Sequence, residues 1–265
     1  MSNHSTNLET ALQGLERQVD GAQKALGAAL REVKRAKAAA AVGQVREIAQ
    51  ALDNAAQLAD QAAGAVGDVR DGWRFDVGAW FSSGEYVKEL LATAADAGLD
   101  VFESDDRLLC YPAVVQVSPA DLSVSIDKRR DRRVRPSFVV RTLSALQGRE
   151  PKSKPEAFIA ALAAAYDLVV AGKGLRPGVP VKLVDVHGVL TLLPGSARDY
   201  TRQELARDIY LLDRSGLVTT RDGRRMTLPA SATTRGSGQL TTVSQTGQPK
   251  VYITIAFTAR PGTQG

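Results

Sequence analysis

Cysteine is almost missing from this chain: Cys110 is the only one in 265 residues. A single thiol excludes an internal disulfide and fits a reducing, cytoplasmic setting. Histidine is nearly as scarce. His4 and His187 are far apart and have no cysteine or carboxylate cluster beside them, so no metal site is expected. Aromatics make up 5% of the residues, and alanine takes their place, which favours close contacts between helices. No apolar run approaches the roughly 20 residues that cross a bilayer, and the opening MSNHSTNLET has neither the basic nor the apolar region of a secretory signal. GxSxG, Walker A and Rossmann fingerprints are absent. The nearest approach to a nuclease-type carboxylate–lysine set is Asp121, Asp127 and Lys128. It lacks the Glu-x-Lys or Asp-x-Lys pair on one strand. These absences lead us to expect a protein without catalysis, cofactor or membrane contact.

What is present is charge in one place. The segment DKRRDRRVRP holds Lys128, Arg129, Arg130, Arg132, Arg133 and Arg135 against Asp131, a net +5 from Lys128 to Arg135 that equals the net charge of the whole chain. A solvated loop tip ordinarily mixes in acids, Asn or Gly. Here Asp131 is the only relief, and arginine's planar fork suits bidentate phosphate contacts. The segment therefore points to a nucleic acid, DNA more than RNA, with an acidic protein partner or a passive loop as the other readings. Arginine outnumbers lysine 24 to 10, a bias expected of a GC-rich bacterial coding sequence.

Residues 8–40 carry a heptad: Leu8, Leu12, Leu15, Val19, Ala22, Leu26, Ala29, Val33, Ala36 and Ala40 step alternately by four and three. The register breaks near Val42-Gly43 and resumes at Ile48, Leu52, Ala55, Ala59, Ala62, Val66 and Val69. Two arrangements fit: a helical hairpin turning at Gly43, or one long helix with a phase slip pairing with another chain. Either makes residues 8–70 a surface for self-association or for a protein partner. Directly after the arm, Trp73, Phe75, Trp80 and Phe81 concentrate four large rings in an aromatic-poor chain. They read as the anchor of the arm or as a docking patch for a partner.

The body begins with a helix from Glu85 to Ala97, stopped by Gly98. Four strand-like runs follow, LDVFES, RLLCYP, AVVQVS and LSVSID. The last leads into the basic segment, which reads as a connection between two elements of a small antiparallel sheet. A helix from Pro155 to Ala171 buries Phe158, Ile159, Leu162, Ala165, Tyr166 and Val169. VKLVDV and VLTLLP read as strands around a His187-Gly188 turn.

Near the C-terminus, Thr201 and Glu204 form a capping box, with Tyr200 and Leu205 placed as a hydrophobic staple. The stretch ELARDIYLLDRSGLVTTRDGRRMTL, a helix followed by a charged Asp-Gly hairpin, resembles the recognition helix and wing of winged-helix domains. At 100° per residue Leu205, Ile209 and Leu212 share one face, and Gln203, Arg207, Tyr210 and Arg214 share the opposite one. The resemblance implies that this second face, with Arg221, Arg224 and Arg225 of the wing, contacts DNA. Residues 198–225 net only +2, which is weak for a dedicated reader. A separate second helix is not legible, and the Ser/Thr/Gly-rich stretch 230–248, including Arg235, reads as a mobile loop.

The expected architecture is α+β: a coiled-coil or hairpin arm (1–72), a small sheet body with the basic loop (73–150), and a winged-helix-like domain (151–265). The expected role is a DNA-binding accessory or structural subunit of a larger complex, or else a protein-binding scaffold.

Overall fold

A computed structural model describes residues 7–229 and 238–259. His4, Arg235 and the rest of 230–237 lie outside the described residues. The fold is α+β, a long helical hairpin followed by small antiparallel sheets among shorter helices. The chain forms two compact units, Met1–Leu90 with Arg135–Ser137, and Leu91–Val134 with Phe138–Gly265.

In the first unit α1 (Leu8–Val42) and α2 (Val45–Gly72) pair as a hairpin. Asn7 caps α1 by accepting from Thr10 N at 2.9 Å, and Gly43 ends it in the left-handed conformation at φ 76°. The buried contact is made of alanine: Ala22, Ala29, Ala36 and Ala39 from α1, Ala51, Ala55 and Ala62 from α2. Glu89 is buried at the start of α1, where its carboxylate accepts from Leu8 N (3.0 Å), Glu9 N (2.8 Å) and Trp80 Nε1 (2.8 Å). Negative charge at a helix N-terminus meets unpaired N–H groups and the positive end of the dipole.

The aromatic junction is partly internal. Trp73, Phe75 and Trp80 are half-buried and touch one another, at 6.2 Å between Trp73 and Phe75 and 5.4 Å between Phe75 and Trp80. Phe81, on α3 (Val77–Ser82), is 2% exposed and stacks on Tyr86 of α4 (Glu85–Asp96) at 4.0 Å. Phe81 is therefore a core residue. The expectation that it docks a partner is corrected by that stacking.

The second unit opens with an antiparallel meander: β1 (Phe102–Ser104), β2 (Arg107–Cys110), β3 (Ala113–Ser118), β4 (Ser123–Ile126) and β5 (Arg129–Asp131). After it comes α5 (Pro136–Gln147). The basic segment is thus not a loop between strands. Asp127 and Lys128, at φ 49° and 67°, make a two-residue turn, which is the backbone a tight hairpin requires. The turn pairs Ile126 with Arg129 and Val124 with Asp131, so Arg129 and Arg130 form the edge strand itself, and Arg132, Arg133 and Arg135 follow in the segment that leads to α5.

The remaining elements are α6 (Pro155–Gly172), β6 (Val181–Lys182), α7 (Leu183–Leu190), α8 (Ser196–Asp199), α9 (Arg202–Ser215), β7 (Arg225–Thr227), β8 (Leu240–Val243), β9 (Pro249–Tyr252) and β10 (Thr254–Thr258). The strand order is β6-β10-β7, with β8-β9 apart. The last strand, β10, pairs antiparallel with both β6, which precedes α7, α8 and α9, and β7, which follows them. Where the sequence reads as two strands around His187-Gly188, the structure has the helix α7. Leu183, Val186 and Leu190 recur at helical spacing and pack into the core with α6, and His187 is buried with its Nε2 on the Tyr200 carbonyl. A 3.6-residue period on a buried face outweighs the strand propensity of valine. By length and composition α6 is apolar enough to cross a membrane, and its Phe158, Ile159, Leu162, Tyr166 and Val169 are buried in this core.

The stretch expected as a mobile loop instead contains β8, paired in register with β9 from Leu240↔Tyr252 to Val243↔Pro249. Gly247 turns this hairpin at φ 73°, and a Cβ there would lie 2.2 Å from the Phe102 ring. Glycine is the residue that allows both the backbone and the contact.

Candidate functional site

The β4–β5 hairpin separates two clefts, of about 740 Å³ and 850 Å³, that share Asp127, Arg130 and Gln203. Side chains alternate across a strand, so one short ribbon presents cations to both sides. The first cleft has Arg129, Arg130 and Arg133 on one wall. Arg149, Lys152 and Arg198 line it too, together with Thr201 and Gln203 from the start of α9. The second holds Arg107, Lys128 and Arg130. The basic segment and the start of the candidate reading helix, far apart in sequence, therefore meet at one site.

The cations are not equally available. Arg130 pairs with Asp121 at 2.9 Å, and Arg133 with Asp131 at 2.6 Å. Arg133 also lies over the Phe138 ring at 4.6 Å. The hydrogen bonds from Arg133 hold the Asp131 carboxyl below the usual carboxylate range. Arg135 leaves the site altogether. It reaches Glu9 and Glu16 of α1, each at 2.8 Å. Partial burial pushes the Glu9 carboxyl up, but bonds from Ser137 and Arg135 outweigh it and hold it below its ordinary value. Lys128, Arg129 and Arg132 are exposed and have no acid partner among the described residues. Arg198 has none either, while Lys152 donates to the Asp199 carbonyl and sits 5.4 Å over the Tyr200 ring. Opposed to these cations, Glu204 is occupied by its capping box and by Arg149 at 2.6 Å.

Asp127 lies in both clefts. Desolvation lifts its carboxyl to about 6, against one hydrogen bond from Val114 N at 3.0 Å. Its raised folded value means that the protein binds this proton better folded than unfolded. Stability from this group is present at about pH 4 and lost as pH rises toward 6. The cleft is also one charge more positive below pH 6. Anion affinity should fall about tenfold from pH 5.5 to 7.5, because unit charges roughly 8 Å apart near a surface interact by about 2 kcal/mol and the carboxyl is only partly protonated at pH 5.5. Asp127→Asn should remove that dependence and bind tighter at pH 7.5. Asparagine tolerates the left-handed backbone and still accepts from Val114 N. Fluorescence titration of both proteins at the two pH values checks this. A parallel pH response in the variant would clear Asp127 of the role.

The α9 residues fall otherwise than expected. Leu205, Ile209 and Leu212 are core, as their face predicts, but Arg207 (4% exposed) and Tyr210 (7%) are buried as well. β8 packs along α9. Tyr210 accepts from Gln245 N at 3.2 Å and contacts the Tyr111 ring at 5.8 Å. Arg207 donates to Asp208 (2.8 Å) and to the carbonyls of Arg149 (3.1 Å) and Glu150 (3.4 Å). The face assigned to the major groove is thus largely covered by an inserted hairpin and by the segment before α6. Gln203 and Arg214 remain exposed, with Arg214 bonded to Gln245. In the segment expected as a wing, Arg224 is held by Asp167 (2.8 Å) and Asp222 (2.7 Å) and lies over Phe257. Arg221 and Arg225 stay exposed. The sequence signal that was missed is Lys152 and Arg198, isolated cations in linkers that only the fold brings to the cleft.

No group of three or more His, Cys, Asp or Glu side chains that would hold a metal occurs among the described residues. The class defined here is an α+β protein with a long helical hairpin, small antiparallel sheets, a largely covered α9 and, in the second unit, a cationic ridge between two clefts. No protein-family model, curated protein or solved structure matches the chain.

Proposed function

We propose that this protein binds DNA without catalysis, as an accessory or structural subunit of a larger bacterial complex, and that it grips the phosphate backbone along the β4–β5 ridge. One observation carries the reading. Lys128 in the β4–β5 turn, Arg129 on β5 and Arg132 just past it have no acid partner among the described residues, beside a cleft that Lys152 and Arg198 also line. Phosphate supplies the counter-charge such a ridge lacks. Base readout is minor, because the groove-facing side of α9 is covered. A duplex-binding assay over a salt series tests the proposal. With four to five phosphate contacts, affinity should drop about 10²- to 10³-fold between 50 and 200 mM salt. Exchanging the duplex sequence should change it little. Binding that is flat with salt would refute phosphate recognition. A strong sequence preference would return the reading to α9.

A further inference from the structure

We infer that a second copy of this chain packs against the α1–α2 hairpin, tip to base, to close a four-helix bundle. The observation is the half of the heptad that the hairpin leaves unburied. On α1, Val19, Leu26, Leu30 and Val33 are each about half exposed, as are Leu52 and Val66 on α2. They follow the buried alanines at a constant rotation, one step around from the contact face on both helices. Because α2 runs opposite to α1, equal rotations bring both stripes out on the same side of the hairpin. The result is one apolar face with a seven-residue repeat on each helix, the pattern that interdigitates with another heptad surface.

Two features select a copy of the same chain. The first is size. The two apolar stripes, Val19–Val33 and Leu52–Val66, run about 21 Å each inside a hairpin face that is about 42 Å long over the 28 residues of α2 and two helices, about 20 Å, wide; the whole face, polar margins included, offers roughly 800 Å² per partner, the extent of a standard interface. The second is charge. The tip half, residues 30–57, carries five cations against three acids. The base half, residues 8–29 and 58–72 with Arg135, carries six acids against four cations. A two-fold axis across the hairpins lays each positive tip over the partner's negative base, whereas a parallel pairing opposes like charges. The alanine seam adds a reason for a partner surface, since small side chains bury little area within one hairpin.

Sedimentation equilibrium of the full chain, without nucleic acid, tests this. The monomer is 28.2 kDa, so a species of twice that mass is expected. Leu26→Glu with Leu52→Glu should return it to monomer and weaken association at least 30-fold, with helicity unchanged because both sites are exposed. Lys34→Glu with Lys37→Glu should weaken association at low salt and lose that effect at high salt. A monomeric parent at high concentration, or a Leu26→Glu/Leu52→Glu protein of unchanged doubled mass, overturns the inference. A charge variant that dimerises as the parent does at low salt overturns the tip-to-base orientation.

Discussion

Alanine at Arg129, Arg130, Arg132 and Arg133 lowers duplex affinity by about 10²- to 10³-fold near 100 mM salt and makes the remaining binding much less salt-dependent. The four residues do not contribute alike. Arg132 and Arg129 have no acid to leave. Arg130 and Arg133 must exchange Asp121 and Asp131 for phosphate, but these are surface pairs, with the Arg130 side chain 57% exposed, and such pairs are worth about 0–1 kcal/mol. Phosphate displaces them readily. A lysine quadruple variant separates charge from geometry: it keeps most of the affinity if the ridge acts as a field, and loses it if forked contacts matter. The fold should tolerate the change, because β5 ends the sheet order and its loss of charge removes no buried partner. Edge position also gives the competing explanation, since cations on an edge strand block sheet-to-sheet association. If the alanine variant binds DNA normally but aggregates, the ridge is a guard against aggregation and the binding proposal falls.

The second large effect concerns stability. Arg207→Met should cost about 3–5 kcal/mol, because it leaves a buried charge without its partner. Both side chains of the Arg207–Asp208 pair are 5% exposed. After the substitution Asp208 keeps, among the described residues, only the Tyr200 hydroxyl, at 3.1 Å, and the carbonyls of Arg149 and Glu150 lose the Arg207 donor. Adding Asp208→Asn should recover part of the loss, the coupling expected of residues in direct contact. Gln203→Ala, four residues earlier and exposed, should leave the denaturation midpoint unchanged. Equilibrium unfolding of the three variants reads this directly. A loss below about 1 kcal/mol for Arg207→Met would mean that solvent reaches the pair. Duplex binding by the folded fraction is expected to persist, since Arg207 holds the 149–150 segment in place and does not face a ligand.

These results separate what local pattern can specify from what it cannot. The heptad marked the helical arm and its break near Gly43, and the Thr201–Glu204 box marked the start of α9, because each depends on residues within a turn or two of one another; that the break is a hairpin turn was decided by the fold. Alternation likewise placed four of the five meander strands. The fifth was hidden because Arg129–Asp131 has no apolar face; it is a strand only through its turn and its pairing with β4. α7 was misread because β-branched content is a weak signal beside burial against α6.

Composition and spacing alone determined an α+β chain with a long helical arm, a concentrated positive segment and a capped C-terminal helix. Tertiary structure decided which cations are free. Arg135, Arg207 and Arg224 found carboxylates or carbonyls distant in sequence, while Lys152 and Arg198 were carried to the basic ridge. Folding also chose which half of the heptad is covered. The physical reason is the same in both cases: a side chain's charge or apolarity is local, but its partner is supplied by whatever the fold brings within a few ångströms.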